Sequence, residues 1–235
     1  YYLRNFYKYS LFLVKNGNVY VIECNLRASR SMPFVSKTIG INLMELAANA
    51  MLGEKVENDE PTPIKFSVKS PQFSFMRLEG ADPITSVDMV STGEVACFGK
   101  DFNEAFLKSL IAAGFKLPKK SILLSTGPIK TIEFLLPCVI KLAEMGFELF
   151  ATDGTAKFLE PNNVKTTVLY WPLSGKDPNV STYIEGGKID LVINIPKSYE
   201  REELANDYLI RRKAVEFGIP IITNAELVKT FSNAL

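Results

Sequence analysis

The chain has 235 residues, 47% of them hydrophobic, with 27 Lys and Arg against 26 Asp and Glu. This is enough apolar material for one large or two small domains of about 100–200 residues each, and a formal charge of +1 gives no electrostatic grip on nucleic acid or an anionic membrane. The chain contains no His, which excludes Ser-His-Asp and Cys-His catalysis, His-ligated zinc and a histidine general base, and leaves any chemistry to carboxylates, Lys and Arg, hydroxyls or backbone groups.

The first element is a hairpin: apolar runs at 11–14 and 19–23 flank Lys15-Asn16-Gly17-Asn18, and Asn-Gly is a strong two-residue turn signal. Helices follow at 31–39 and 43–52, with Gly40 and Gly53 as their stops. Pro61-Thr62-Pro63 breaks the pattern, and 66–68 and 73–78 read as strands returning to the same sheet. Residues 102–113 carry Phe102, Ala105, Phe106 and Leu110 at helical spacing. Residues 114–120 then form a linker.

Beyond it, strands and helices alternate. Strands are expected at 121–125, 147–152, 166–170, 191–195 and 220–223, and helices at 131–145, 154–159, 179–185, 201–217 and 225–235. Runs such as Ile122-Leu123-Leu124 and Leu191-Val192-Ile193 are continuously apolar, as strands buried on both faces require. Right-handed crossovers then predict a five-stranded parallel sheet with helices on both faces. Such sheets bind ligands at the carboxyl ends of their strands.

Cys24, Cys97 and Cys138 are far apart and odd in number, which fits neither a metal knuckle nor a disulfide framework. Buried thiols in a reducing compartment are the expectation. No run of about 18 apolar residues is present, so no membrane span is expected. The chain lacks an initial Met and opens abruptly on YYLRNFYKYS; it is expected to be a piece of something longer.

Two stretches carry chemistry. In the first, Glu23 ends a strand and Asn25 lies two residues on, so their side chains share a face. A carboxylate beside an amide oxygen suits Mg²⁺, which takes one or two carboxylates plus phosphate oxygens. Arg27 and Arg30 add guanidinium forks for phosphate or carboxylate. The plainer alternative is a strand end with an exposed polar turn. In the second, Thr152-Asp153-Gly154-Thr155 follows a buried strand and opens a helix. Its hydroxyls and free N–H groups make an anion site, or else Thr152 or Asp153 simply caps the helix. Ser125-Thr126-Gly127-Pro128 with Lys130, Asn194 with Lys197, and Trp171 end the neighbouring strands. Together they predict one polar pocket for an anionic small molecule, walled by Trp171 unless that ring is only packing.

VYVIECNLRASRSMPFVSK at 19–37 closely resembles the metal and phosphate strand of the second ATP-grasp unit in the large chain of carbamoyl-phosphate synthetase. MVSTGEVACFG at 89–99 resembles the segment before that enzyme's C-terminal regulatory domain. ATDGTA, YWP, LVINIP, DYLIRR and GIPIITN resemble the regulatory domain itself, which has the methylglyoxal synthase-like fold. The resemblance runs from about Phe12 to the end. It implies an α/β chain, with 1–114 the end of the carbamate-phosphorylating ATP-grasp unit and 115–235 a methylglyoxal synthase-like regulatory domain. It further implies Glu23 and Asn25 as ligands of Mg²⁺ or Mn²⁺, Arg27 and Arg30 as catalytic arginines on the phosphates and carbamate, and Thr152, Thr155, Trp171, Asn194 and, more loosely, Lys130 as effector contacts.

The parent would be an ATP-dependent ligase making carbamoyl phosphate from bicarbonate and ammonia, or from glutamine through a glutaminase chain or domain. It would serve pyrimidine or arginine biosynthesis or the urea cycle, in the cytoplasm or the mitochondrial matrix. Two departures matter. Leu11 falls where the family has a metal-binding Gln, and the Gly-rich phosphate loop and adenine-binding residues are missing. The fragment alone is therefore expected to be inactive. N-acetyl-L-glutamate is slightly favoured over a uridine nucleotide as effector, although Lys197 and Asp207 stand where the acetylglutamate type has amides. A stand-alone effector-binding module is the alternative. A methylglyoxal synthase is disfavoured, because that family uses a His.

Overall fold

The computed structural model describes residues 9–25, 29, 31–56, 66–84, 93–196 and 201–235. The hairpin forms as expected: β1 (Tyr9–Lys15) and β2 (Asn18–Asn25) pair antiparallel. Asn16 and Gly17 both take positive φ, 53° and 76°, the left-handed pair that a tight two-residue hairpin turn needs. Helices α1 (Ser31–Ile39) and α2 (Leu43–Leu52) match the expected bounds. The Asn42 side chain accepts the Glu45 N–H, and Gly53 closes α2 in the left-handed conformation.

The next strands differ from expectation. β3 (Phe66–Gln72) pairs with β4 (Gly93–Gly99), not with 73–78, and forms a separate two-stranded sheet. Residues 75–77 make a single 3₁₀ turn instead of a strand. Apolar residues there (Phe73, Phe75, Met76) mimic strand composition, but the two phenyl rings stack on one another at 5.3 Å. Gly99 is needed where β4 meets α3 (Phe102–Ala112): a Cβ there would sit 2.4 Å from the Ala105 nitrogen.

The remaining strands, β5 (Ser121–Thr126), β6 (Glu148–Thr152), β7 (Thr167–Leu169), β8 (Leu191–Ile195) and β9 (Ile221–Ile222), form one parallel sheet in the order β7-β6-β5-β8-β9. Between them lie α4 (Ile129–Glu144), α5 (Asp153–Leu159), α6 (Val180–Glu185), α7 (Arg201–Glu216) and, after β9, α8 (Ala225–Ala234). Alternate strand residues feed two cores, as the two-residue period dictates. Ile122, Leu124, Ala151 and Ile193 meet Leu135 and Leu142 of α4 and Phe231 of α8 on one face. Leu123, Phe150 and Val192 meet Ile184 of α6 and Ile210 of α7 on the other. Helices therefore cover both faces, as the apolar strands predict. Phe106 of α3 packs into the first of these cores, so α3 joins the two halves of the chain.

Asp190, just before β8, fastens the two central strands at their start. Its Oδ2 accepts the N–H groups of Lys120 and Ser121 at 2.7 and 2.9 Å. Burial pushes its carboxyl up, but those bonds and the Ser121 hydroxyl outweigh burial and hold it below the ordinary range.

Candidate functional site

The strand order turns back at β5: the chain runs outward through β6 and β7, then crosses to β8. The carboxyl ends of β5 and β6 form a small recess. Ser125, Thr126 and Gly127 line it from β5, Thr152, Gly154 and Thr155 from the turn after β6, Trp171 from beyond β7, and Asp207 from α7.

All four hydroxyl residues are buried, and their bonds to one another are long. Thr152 Oγ1 and Thr155 Oγ1 lie 3.4 Å apart, Thr126 Oγ1 and Thr155 Oγ1 3.3 Å, and Thr152 Oγ1 donates to Ser125 Oγ at 3.5 Å. Only the Thr126 N–H to Thr155 Oγ1 bond, at 3.1 Å, is of ordinary length. Each hydroxyl is both donor and acceptor and can rotate, so long mutual bonds are readily exchanged for bonds to a ligand. The capping alternative for Thr152 does not hold, because its side chain makes no cap bond to α5.

Trp171 is half-buried. Its turn is fixed by Asn179, whose Nδ2 donates to the Trp171 carbonyl at 3.0 Å, and by Asn206 Oδ1, which accepts the Leu173 N–H at 2.9 Å. Asn194 does not line the recess but lies fully buried beneath it. Its Nδ2 donates to Asp207 Oδ1 at 2.9 Å, and its Oδ1 accepts from Arg211 Nη1 at 2.8 Å. Lys130 is exposed on the first turn of α4 and does not line the recess. Lys197 lies outside the described residues.

Sequence reasoning singled out the threonines and Trp171, and the fold brings them together. Asp207, which stands where the acetylglutamate type has an amide, also lines the recess. Arg211 is the residue that sequence reasoning misses, although a signal exists: two adjacent arginines in the apolar-spaced stretch Tyr208-Leu209-Ile210-Arg211-Arg212. Such residues on a packed helix need buried partners.

The second candidate is at the end of the hairpin. Glu23 is exposed on β2, and Leu11 stands opposite it in the register, beside an irregularity between Leu11 and Phe12. The expected Gln position is thus the neighbour of Glu23, but leucine offers no oxygen for a metal. Asn25 ends β2; its side chain and the whole of Arg27 and Arg30 lie outside the described residues. Among the described residues no cluster of three His, Cys, Asp or Glu side chains could hold a metal. The described part of this site supplies one carboxylate, that of Glu23. Cys24 is exposed, Cys97 half-buried and Cys138 buried, so burial of all three thiols is not met. Among the described residues no helix is long and apolar enough to cross a membrane.

Residues 134–223 match the MGS-like domain family. The chain is 46% identical to part of the multifunctional protein pyrABCN of Emericella nidulans, over 95% of this chain and 10% of that protein. It is 45% identical to part of the multifunctional protein pyr1-3 of Dictyostelium discoideum, over 95% and 10%. It is 44% identical to part of the human mitochondrial carbamoyl-phosphate synthase [ammonia], over 95% and 16%. The chain thus spans a small fraction of the length of these relatives, and the likeness agrees with the resemblance carried by its motifs.

Proposed function

We propose that the chain is the end of a carbamoyl-phosphate synthase large chain, with 115–235 a regulatory domain that binds an anionic effector and 1–114 the last part of the carbamate-phosphorylating ATP-grasp unit. The observation that carries this reading is the recess at the ends of β5 and β6, where four buried hydroxyls converge: Thr152 and Thr155 from within the MGS-like match, Ser125 and Thr126 from the strand just before it. Loosely bonded hydroxyls over a parallel sheet suit an anion at the point where strand order turns back. The hairpin supports the other half of the reading. Phe12, Val14, Val19 and Val21 are all more than half exposed, as expected of strands whose covering elements belong to a longer chain.

In the parent, Glu23 and Asn25 would hold Mg²⁺, which screens the transferring phosphoryl charge, and Arg27 and Arg30 would steady phosphates and carbamate. ATP, bicarbonate and ammonia or glutamine would be its substrates, in the cytosol or the mitochondrial matrix. The isolated chain lacks the phosphate loop and would turn over no ATP.

N-acetyl-L-glutamate is the effector read here, its carboxylates on Thr152 and Thr155 and its amide N–H toward Asp207. A uridine nucleotide is the second reading, favoured by Asp207 itself, because a carboxylate in the recess accepts bonds from ribose hydroxyls. Titrating the chain with each compound while following Trp171 fluorescence tests both. Saturable quenching by one identifies the effector class, and no response to either removes the effector reading.

A further inference from the structure

Helix α7 meets the recess and the first region of the chain at once. Asp207 and Arg211 lie four residues apart, on one helical stripe. Asp207 Oδ1 accepts from Ser125 Oγ at 3.4 Å and from Asn194 Nδ2 at 2.9 Å. Asn194 Oδ1 accepts from Arg211 Nη1 at 2.8 Å. The rest of the guanidinium closes on Asp82, with Nε and Nη2 donating to its two carboxylate oxygens at 2.7 and 2.6 Å. A continuous file of side chains therefore runs from the recess to Asp82. The neighbouring stripe holds the same segment. Arg212 Nη1 donates to the carbonyls of Phe75, Leu78 and Ala81, and Tyr208 Oη donates to the carbonyl of Gly80.

This file differs from ordinary packing in two ways. The Arg211 side chain is 1% exposed, and a buried charge adds little stability over an apolar side chain of its volume. It does fix direction, because the planar fork sets Asp82 and Asn194 at defined angles to each other. Asn194 is committed at both ends, giving a hydrogen bond to Asp207 and taking one from Arg211, so turning its amide breaks both at once. The segment it governs leads, across β3, to the start of α1: Lys69 Nζ donates to Ser31 Oγ at 2.7 Å and pairs with Glu94 at 2.6 Å.

We propose that Arg211 is a positioning residue that couples the state of the recess to residues 75–84 of the first region, through Asp207 and Asn194 on one side and Asp82 on the other. Its regulatory meaning rests on the reading of the recess as an effector site; the connection itself needs no ligand.

Hydrogen exchange of the backbone amides in 75–84, measured on the whole chain, tests it in two arms. Without ligand, Asp207→Asn should speed exchange there about fivefold, and the acceleration should vanish in an Asp82→Asn background, while amides of β5 and β8 keep their protection. Equal acceleration in both backgrounds, or none in either, overturns the coupling. If Asp207→Asn loses protection in β5 and β8, Ser125→Ala replaces it in the same cycle, with the same outcomes.

In the second arm, N-acetyl-L-glutamate and uridine monophosphate are added separately. A compound that shifts Trp171 fluorescence should also slow exchange at 75–84. In Asp82→Asn it should bind within about threefold as tightly yet leave that segment unchanged. A compound that binds the unmodified chain and leaves 75–84 untouched overturns the coupling. Binding of neither compound overturns the effector reading alone, and the ligand-free arm still decides the connection.

Discussion

The two ends of the chain are built to different degrees of completeness. Beyond residue 120, strand after strand is buried on both faces, and helices close the sheet from either side. Before residue 101, the buried apolar side chains among the described residues are Ala47, Ala50 and Pro83, all small, while Phe12, Val14, Met51, Leu52, Phe66 and Met76 stand in solvent. The later region carries its own stabilising core. The earlier one has the right local signals, with a hairpin turn and capped helices, but not the surface to bury. Local propensity is thus enough to shape elements, while burial decides whether they form an independent unit.

Mutations should separate the two regions by size of effect. The largest is expected at Ile193, fully buried at the centre of the sheet: Ile193→Ala should cost about 2–4 kcal/mol in urea unfolding, and a cost below about 1 kcal/mol would mean the later core is not the main source of stability. Asp190→Asn should cost about 1.5–2 kcal/mol through its charged hydrogen bonds. Because the folded carboxyl titrates below its unfolded value, its contribution is complete above the unfolded pKa and fades as pH falls through the folded one. The variant and the unmodified chain should therefore converge in melting temperature in acid, and a gap that widened there would reverse the sign argued for Asp190.

Thr155→Val keeps the shape of the recess but removes the hydroxyl that Thr126 and Thr152 share. It should weaken effector binding about tenfold by Trp171 titration, near 1.4 kcal/mol, and lower the unfolding free energy by about 1 kcal/mol, because the buried Thr126 N–H loses its acceptor. The smallest effect is expected in the hairpin: Val21→Thr, on an exposed strand, should move stability by less than about 0.5 kcal/mol. A larger loss would show that the hairpin is packed more firmly than its exposure indicates.

Much of this was legible in the sequence. The Asn16-Gly17 turn, both early helices and all five later strands follow from turn chemistry and apolar period. So does the meeting of Thr152, Thr155 and Trp171, because parallel topology brings strand ends together. Residues 73–78 depart from the expected strand because an aromatic-rich stretch has strand composition whether or not a partner is available, and β3 finds its partner in 93–99 instead. Strand ends read as a rim put Asn194 on the recess. In the fold Asp207 lines the recess and accepts from Asn194 Nδ2, while Asn194 does not line it, and only tertiary packing decides which of two polar groups faces a ligand. Asp82 has no local signal at all, since its partner is 129 positions away.

The hairpin also bears on how the chain behaves in solution. Two apolar strands that pair only with each other among the described residues, with exposed side chains, are a template for pairing with their own kind. Concentrated samples of the 235-residue chain should form β-rich assemblies through residues 9–25, and a charge at Val14 or Val21 should suppress them without touching the recess.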